Sequence, residues 1–213
     1  MLVAGSGIQI AVADVFSFTN TLPIPDGNAA GMCDVETLPS GISQIGSVLV
    51  QLNIRGDFNG DLYCYLKHGN ALSVLLNRPG RTSSNPFGYA DSGLNITLND
   101  FALNGNVHNY GVVQTPAAGL PLTGAWQPDG RTTIPFDVLD SDVSMAGLNV
   151  FQNLNASGSW TLFVADLSSG GTSVLNSWQL IIEPVPEPSA FALAVLGLGL
   201  TISSLRNKES KPQ

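Results

Sequence analysis

The chain has 213 residues, of which 44% are hydrophobic and only 11% are charged. This composition excludes an intrinsically disordered protein, and the length is sufficient for one substantial core. Sixteen acidic residues against 8 basic ones give a net charge of -8, so phosphate backbones would be repelled and we expect no nucleic-acid partner. The 23 glycines and 13 prolines predict many turns between short strands.

The N-terminus has the pattern of an export signal. Residues 2–10 are mostly apolar and lead to Ala11, Val12 and Ala13, a small-x-small sequence typical of signal-peptidase cleavage. The positively charged segment that normally precedes such a run is missing, so we predict that residues 1–13 are a truncated signal peptide. The alternative is a hydrophobic N-terminal strand.

Residues 14–183 have the periodicity of β-strands. Val48, Val50, Leu52 and Ile54 recur at every second position, which is the spacing of a strand with one buried side. No long helical period interrupts this region, so we predict an all-β fold, an antiparallel β-sandwich or jelly roll. Similar short runs bounded by turn residues lie at 61–66, 71–76, 94–98, 161–165 and 178–182.

Three motifs follow one another within this region. They are Gly-Asp-Leu at residues 60–62, Gly-x-Trp-x-Leu-x-Val-x-Asp at 158–166 and Trp-x-Leu at 178–180. Together they make residues 24–182 resemble a P domain, also called P/Homo B. In furin- and kexin-type convertases that module is a β jelly roll that follows and stabilises a subtilisin-like catalytic domain. The resemblance therefore implies a jelly roll at residues 14–183 with a link to proteolysis.

Three residues of these motifs are predicted to have structural roles. Trp160 and Trp178 each begin a strand, where an indole can be buried if its N–H finds an acceptor. Asp166 ends a strand, where a carboxylate can accept backbone N–H bonds and order the following turn.

Catalytic residues are not predicted. His68, Asp91 and Ser173 lie in fragments similar to those of subtilases, but they occur in the order His, Asp, Ser, whereas a subtilisin-like triad runs Asp, His, Ser on an α/β scaffold. His108 lies in a polar loop without a ligand or carboxylate at a suitable spacing, so we expect a solvated side chain. We therefore predict that the chain is not an enzyme.

Calcium is the only cofactor that the sequence suggests. Asp57, Asn59 and Asp61 place oxygen donors at alternate positions, and a second acidic group lies at 137–142. Neither segment has the twelfth-position Glu of an EF-hand, so bound calcium and ordinary solvated turns both remain open.

Cys33 and Cys64 are the only cysteines in the chain. In an exported protein they could form one disulfide, and closing a loop of about 30 residues would contribute ~3 kcal/mol. Two free thiols are the alternative.

The C-terminus reads as a sorting signal. Pro186, Glu187 and Pro188 precede an apolar stretch at 190–205, which is just long enough to reach across a thin bilayer and is closed by basic residues. Residues 184–213 resemble the PEP-CTERM signal, which implies recognition by an exosortase after export. A plain single-pass anchor is the alternative.

Two functions follow from these patterns. The first is an exported, non-catalytic module at the surface of a Gram-negative cell that binds a partner such as extracellular polysaccharide, with aromatic side chains as candidate contacts. The second is an accessory that stabilises a separate subtilisin-like protease. The candidate aromatic contacts are Tyr63, Tyr65, Tyr89 and Tyr110.

Overall fold

The computed structural model describes residues 12–186, which form ten β-strands and three short 3₁₀ helices. Within this range no helix is long and apolar enough to cross a membrane. The strands are β1 (Asp14–Phe18), β2 (Leu22–Ile24), β3 (Met32–Leu38), β4 (Ile45–Arg55), β5 (Leu62–His68), β6 (Ala71–Asn77), β7 (Leu94–Leu98), β8 (Leu122–Trp126), β9 (Gly158–Asp166) and β10 (Ser173–Pro184).

The strands form two sheets that pack face to face. Sheet A has the order β1-β10-β4-β7-β8, with β2 also paired to β10, and sheet B has the order β3-β9-β5-β6. This arrangement confirms the predicted all-β sandwich. One pair departs from the antiparallel expectation, because β7 and β8 run parallel with Leu94 opposite Leu122. A parallel pair needs a crossover, and residues 99–121 supply it.

The core lies between the sheets and is built from alternate strand residues. In β4, Val50 and Leu52 face inward, and Cys64 and Leu66 of β5 face them from the other sheet, each at most 1% exposed. Because the side-chain period of a strand is two, the residues between them point to solvent. The inner faces thus hold the fold together, and the outer faces are free to carry other chemistry.

The two ends of the sandwich are distinct. At the exit end, β10 finishes at Pro184 opposite Ile45, the first residue of β4. At the turn end, β4 finishes at Arg55, β5 begins at Leu62, and Asp166 closes β9 opposite Leu62. The described chain leaves the domain at the exit end.

Candidate binding groove

The outer face of sheet A carries two rows of uncharged polar side chains. The strand registers place Gln179 opposite Ser17 on one side and opposite Gln51 on the other, and Gln51 lies opposite Thr97. The second row lies one step nearer the turn end, runs across β10, β4, β7 and β8, and consists of Ser177, Asn53, Asn95 and Thr123. Strand alternation therefore gathers amides and hydroxyls from five strands onto one surface.

A groove of about 250 Å³ lies on this surface. The strands beneath it fix the backbone positions of the residues that line it. None of the lining residues is charged; they are Ser17, Thr19, Gln51, Leu52, Asn53, Asn95, Ser177, Trp178 and Gln179.

Hydrogen bonds fix some of these amides and leave others available. Gln179 Nε2 donates to Ser17 Oγ at 2.6 Å, and Asn176 Nδ2 donates to Asn53 Oδ1 at 3.0 Å. Gln51 and Asn95 are exposed, and neither side chain bonds another group of residues 12–186. Each amide can both donate and accept, so the groove is suited to a ligand that does the same.

The outer face of sheet B carries aromatic rings instead. Tyr65 stacks on Phe163 with the ring centroids 4.7 Å apart, and Tyr63 meets both rings edge-on. The predicted contacts Tyr89 and Tyr110 are not on this face. Tyr110 is fully buried, so it cannot be a surface contact, and burial raises the pKa of its hydroxyl.

His108 lies in a buried polar network, so the prediction of a solvated loop residue was wrong. His108 and Asp129 are both 0% exposed, and Nδ1 of the imidazole lies 2.8 Å from Asp129 Oδ2. The other ring nitrogen lies 3.0 Å from the carbonyl oxygen of Arg81. Since both oxygens only accept, both bonds form when the ring carries two protons. Asp129 also accepts from Arg131 Nη1 at 3.1 Å.

This network fastens a long loop to the edge of sheet B. The N–H groups of Asp129 and Gly130 donate to the carbonyl oxygens of Leu75 and Val74 in β6, at 3.1 and 2.9 Å. Residues 128–131 thus cover a strand edge that would otherwise be open. Sequence reasoning missed the network because His108 and Asp129 are 21 residues apart in an irregular region.

The three subtilase-like fragments are not brought together. His68 stacks on Trp160 with ring centroids 4.2 Å apart, at the exit end of β9. Ser173 donates to Asp166 Oδ2 at 3.0 Å, at the other end of β9. Trp160 and Asp166 are six residues apart along β9, so His68 and Ser173 lie about 20 Å from each other. Asp91 accepts from the Tyr110 hydroxyl at 2.9 Å.

The three residues with calcium-type spacing have other partners. Asn59 Nδ2 donates to the carbonyl oxygen of Gly93, and Asn59 Oδ1 accepts from the N–H of the same residue. Asp61 pairs with Arg78 at 3.3 Å, and Asp57 lies against Gly171. Residues 12–186 contain no group of three His, Cys, Asp or Glu side chains that could hold a metal ion. Calcium binding therefore stays a prediction.

The two cysteines do not pair, which corrects the disulfide prediction. Both thiols are free, with Cys33 exposed and Cys64 buried. Cys33 lies on β3 and Cys64 on β5, and β9 separates these two strands in sheet B. Two strand spacings amount to ~9.5 Å, beyond the reach of a disulfide, and the two side chains point to opposite faces.

The residues with predicted structural roles lie in the core or at its edge. Trp160 Nε1 donates to the carbonyl oxygen of Ala156 at 2.9 Å, and Trp178 Nε1 donates to Asp34 Oδ2 at 2.8 Å. Asp166 is 2% exposed, and burial raises the pKa of its carboxyl. In the sorting motif, Pro186 is the last described residue, and Glu187 and Pro188 lie outside the described residues.

No family model and no curated protein matches the chain. Among solved structures, it is similar to part of the serine protease of Aeromonas sobria. One crystal structure contains that protease in complex with a chaperone. The match to it has 16% sequence identity and a TM-score of 0.46, and it covers 82% of this chain and 27% of the matched chain. A second, of the protease, matches at 15% identity and a TM-score of 0.46 over 84% and 28% of the respective chains. The chain thus spans little more than a quarter of the length of each matched chain.

Proposed function

We propose that the chain is a non-catalytic binding module that holds a neutral, hydroxyl-rich polymer, such as an extracellular polysaccharide, in the groove of sheet A. The observation that carries this proposal is the uncharged lining of amides and hydroxyls, which lies on four paired strands. Sugar hydroxyls both donate and accept hydrogen bonds, and so do these side chains.

The charge of the chain and of the groove limits which polymers can bind. The net charge of -8 repels polyanions, and the groove offers no ionic partner to a charged ligand. Its volume of about 250 Å³ lies below the usual range for pockets that enclose a small molecule. We therefore expect the groove to hold a short stretch of a longer neutral chain, with low affinity at each site.

Affinity electrophoresis in gels that contain neutral polysaccharides tests this proposal. Replacing both free amides, Gln51→Ala with Asn95→Ala, should weaken retention about tenfold, since each lost hydrogen bond is worth roughly 0.5–1.5 kcal/mol. Gln152→Ala is the matched control, because Gln152 is an exposed amide outside this groove. Equal retention of the double variant and the wild type would exclude the groove as the binding site.

We also propose that the module is exported and sorted by an exosortase. The support is the pattern of the two chain ends, with a cleavage sequence before Asp14 and the Pro-Glu-Pro motif at 186–188. The intact mass of the protein from its native host tests both processing steps. A mass equal to that of all 213 residues would contradict export with tail removal.

A second candidate is an accessory that stabilises a separate subtilisin-like protease. It is favoured by the P-domain-like motifs at 60–62, 158–166 and 178–180. Co-expression with such a protease, encoded beside this chain and lacking its own P domain, should raise the protease's melting temperature. An unchanged melting temperature would argue against this function.

A further inference from the structure

The exit end carries large apolar side chains that are open to solvent. Phe101 is 77% exposed, Leu103 is 101% exposed and Met145 is 76% exposed. Phe101 and Met145 line one shallow cavity of about 250 Å³, although they come from loops more than 40 residues apart. We call these three side chains the exit patch.

The exit patch lies beside the point where the described chain ends. Phe101 and Ser47 line a common cavity, and Ser47 Oγ donates to Glu183 Oε2 at 2.5 Å. Two residues further on, the N–H of Val185 donates to the carbonyl oxygen of Gln44 at 3.0 Å, which holds the outgoing chain against the domain. The apolar stretch 190–205 therefore starts at most ~14 Å beyond Pro186, the reach of four extended residues.

Two acidic residues, Asp100 and Glu183, lie near the exit patch, and no basic residue lines the two cavities that Phe101 shares. Asp100 is the only charged residue in the lining of the two cavities that Phe101 shares. Its carboxylate accepts from the backbone N–H groups of Leu148 and Asn149, so each of its oxygens already has one partner within the domain. Such a surface suits an uncharged apolar environment better than an anionic or cationic partner.

We propose that the exit patch docks onto the lipid bilayer that receives the apolar stretch 190–205, which leaves the groove of sheet A on the side of the sandwich and open to solvent. This inference rests on the proposed sorting, in which residues 190–205 hold the exported chain in the membrane until the exosortase removes the tail. A short connection holds the exit end near the bilayer surface, where exposed apolar side chains are favoured at the interface between headgroups and acyl chains.

Quenching by brominated lipid tests the docking. The full-length chain is reconstituted into phosphatidylcholine vesicles, with and without brominated phosphatidylcholine, as the variants Phe101→Trp and Phe87→Trp. Phe87 is the matched control, because it is 75% exposed and its backbone packs against Gly60 at the turn end. We expect the brominated lipid to remove much of the emission gained by Phe101→Trp and to leave the emission gained by Phe87→Trp unchanged.

Each alternative outcome has a distinct meaning. If the chain floats with vesicles but position 101 is not quenched, the docking is overturned and the membrane attachment stands. The same result is expected if another protein, or residues 190–205 themselves, covers the exit patch. Failure of the full-length chain to float with vesicles would overturn both the anchor and the docking. Neither result affects polysaccharide retention, which depends on the polar side chains of Gln51 and Asn95 in the groove and not on the apolar exit patch.

Discussion

The outer faces of the two sheets differ in chemistry although both sheets follow the same alternation of buried and exposed residues. On sheet A the outward positions hold amides and hydroxyls that remain available to solvent, such as Gln51 and Asn95. On sheet B the outward rings of Tyr65 and Phe163 stack on each other, and a loop held by Asp129 borders the sheet. The middle of the outer face of sheet A is thus open and polar, whereas the side chains on the outer face of sheet B largely contact one another.

The comparison shows which residues the fold needs. Inward positions are constrained by packing on both sheets, but outward positions are constrained only where they contact one another or a covering loop. We therefore expect changes on the outer face of sheet A to affect binding, and changes in the network beside sheet B to affect stability.

The largest effect is expected from Asp129→Ala. Without this carboxylate, the Arg131 guanidinium loses its buried ionic partner and the His108 imidazole loses a hydrogen-bond acceptor, which should lower the free energy of unfolding by about 3–5 kcal/mol. Urea denaturation followed by circular dichroism measures the change. Asp140→Asn is the control, because its exposed side chain forms no ion pair within residues 12–186. A loss below about 1 kcal/mol would show that the network does not hold the loop.

The two buried tryptophans allow a sharper comparison of the sheets. Trp178→Phe removes a bond from β10 of sheet A to the Asp34 carboxylate on β3 of sheet B, and Trp160→Phe removes a bond from β9 of sheet B to the carbonyl oxygen of Ala156. Bonds to charged groups are worth about 1.5–3 kcal/mol and neutral ones about 0.5–1.5 kcal/mol, so Trp178→Phe should cost more by roughly 1 kcal/mol. Chemical denaturation of the two variants measures this difference. The reverse order would show that the stack of His68 on Trp160 outweighs the charged bond.

The free energy of unfolding should depend on pH because of Asp166, whose carboxyl accepts from the Ser173 hydroxyl between the two sheets at the turn end. Burial, with the negative charges of Asp61 and Asp26, raises the folded-state pKa of Asp166, so the folded protein binds more protons than the unfolded chain above about pH 4. Ionised Asp166 therefore destabilises the fold as pH rises through its folded pKa.

Asp166→Asn removes this dependence while keeping an oxygen that can accept from the Ser173 hydroxyl. The free energy of unfolding of the variant, minus that of the wild type, should increase from about pH 4 to about pH 7. Thermal denaturation across this range provides the measurement. A constant difference would mean that the carboxyl titrates alike in both states.

The smallest expected effect concerns the reactivity of the two cysteines, which lie on opposite faces of sheet B. Cys33 is exposed, whereas Cys64 is buried in the core, where burial raises the pKa of its thiol. Iodoacetamide should modify Cys33 in the folded protein and reach Cys64 only after denaturation. Mass spectrometry of the labelled peptides gives the result. Similar labelling of both thiols in native protein would contradict the strand alignment.

Much of the fold could be predicted from local pattern. The alternation at Val48, Val50, Leu52 and Ile54 indicated a strand, and these residues lie within β4 with their side chains in the core. The all-β class follows from such runs because a side-chain period of two is a local property. The polar groove was not predicted, because its residues come from four strands whose lateral order no single segment contains.

The sequence by itself determined where strands form and which side chains they bury, since backbone alternation and hydrophobicity act over a few residues. Only the tertiary structure decided that Cys33 and Cys64 lie on opposite faces, that His108 meets Asp129, and that Gln51 and Asn95 share a groove. These relations depend on strand order and register, which are set by packing between segments distant in the chain.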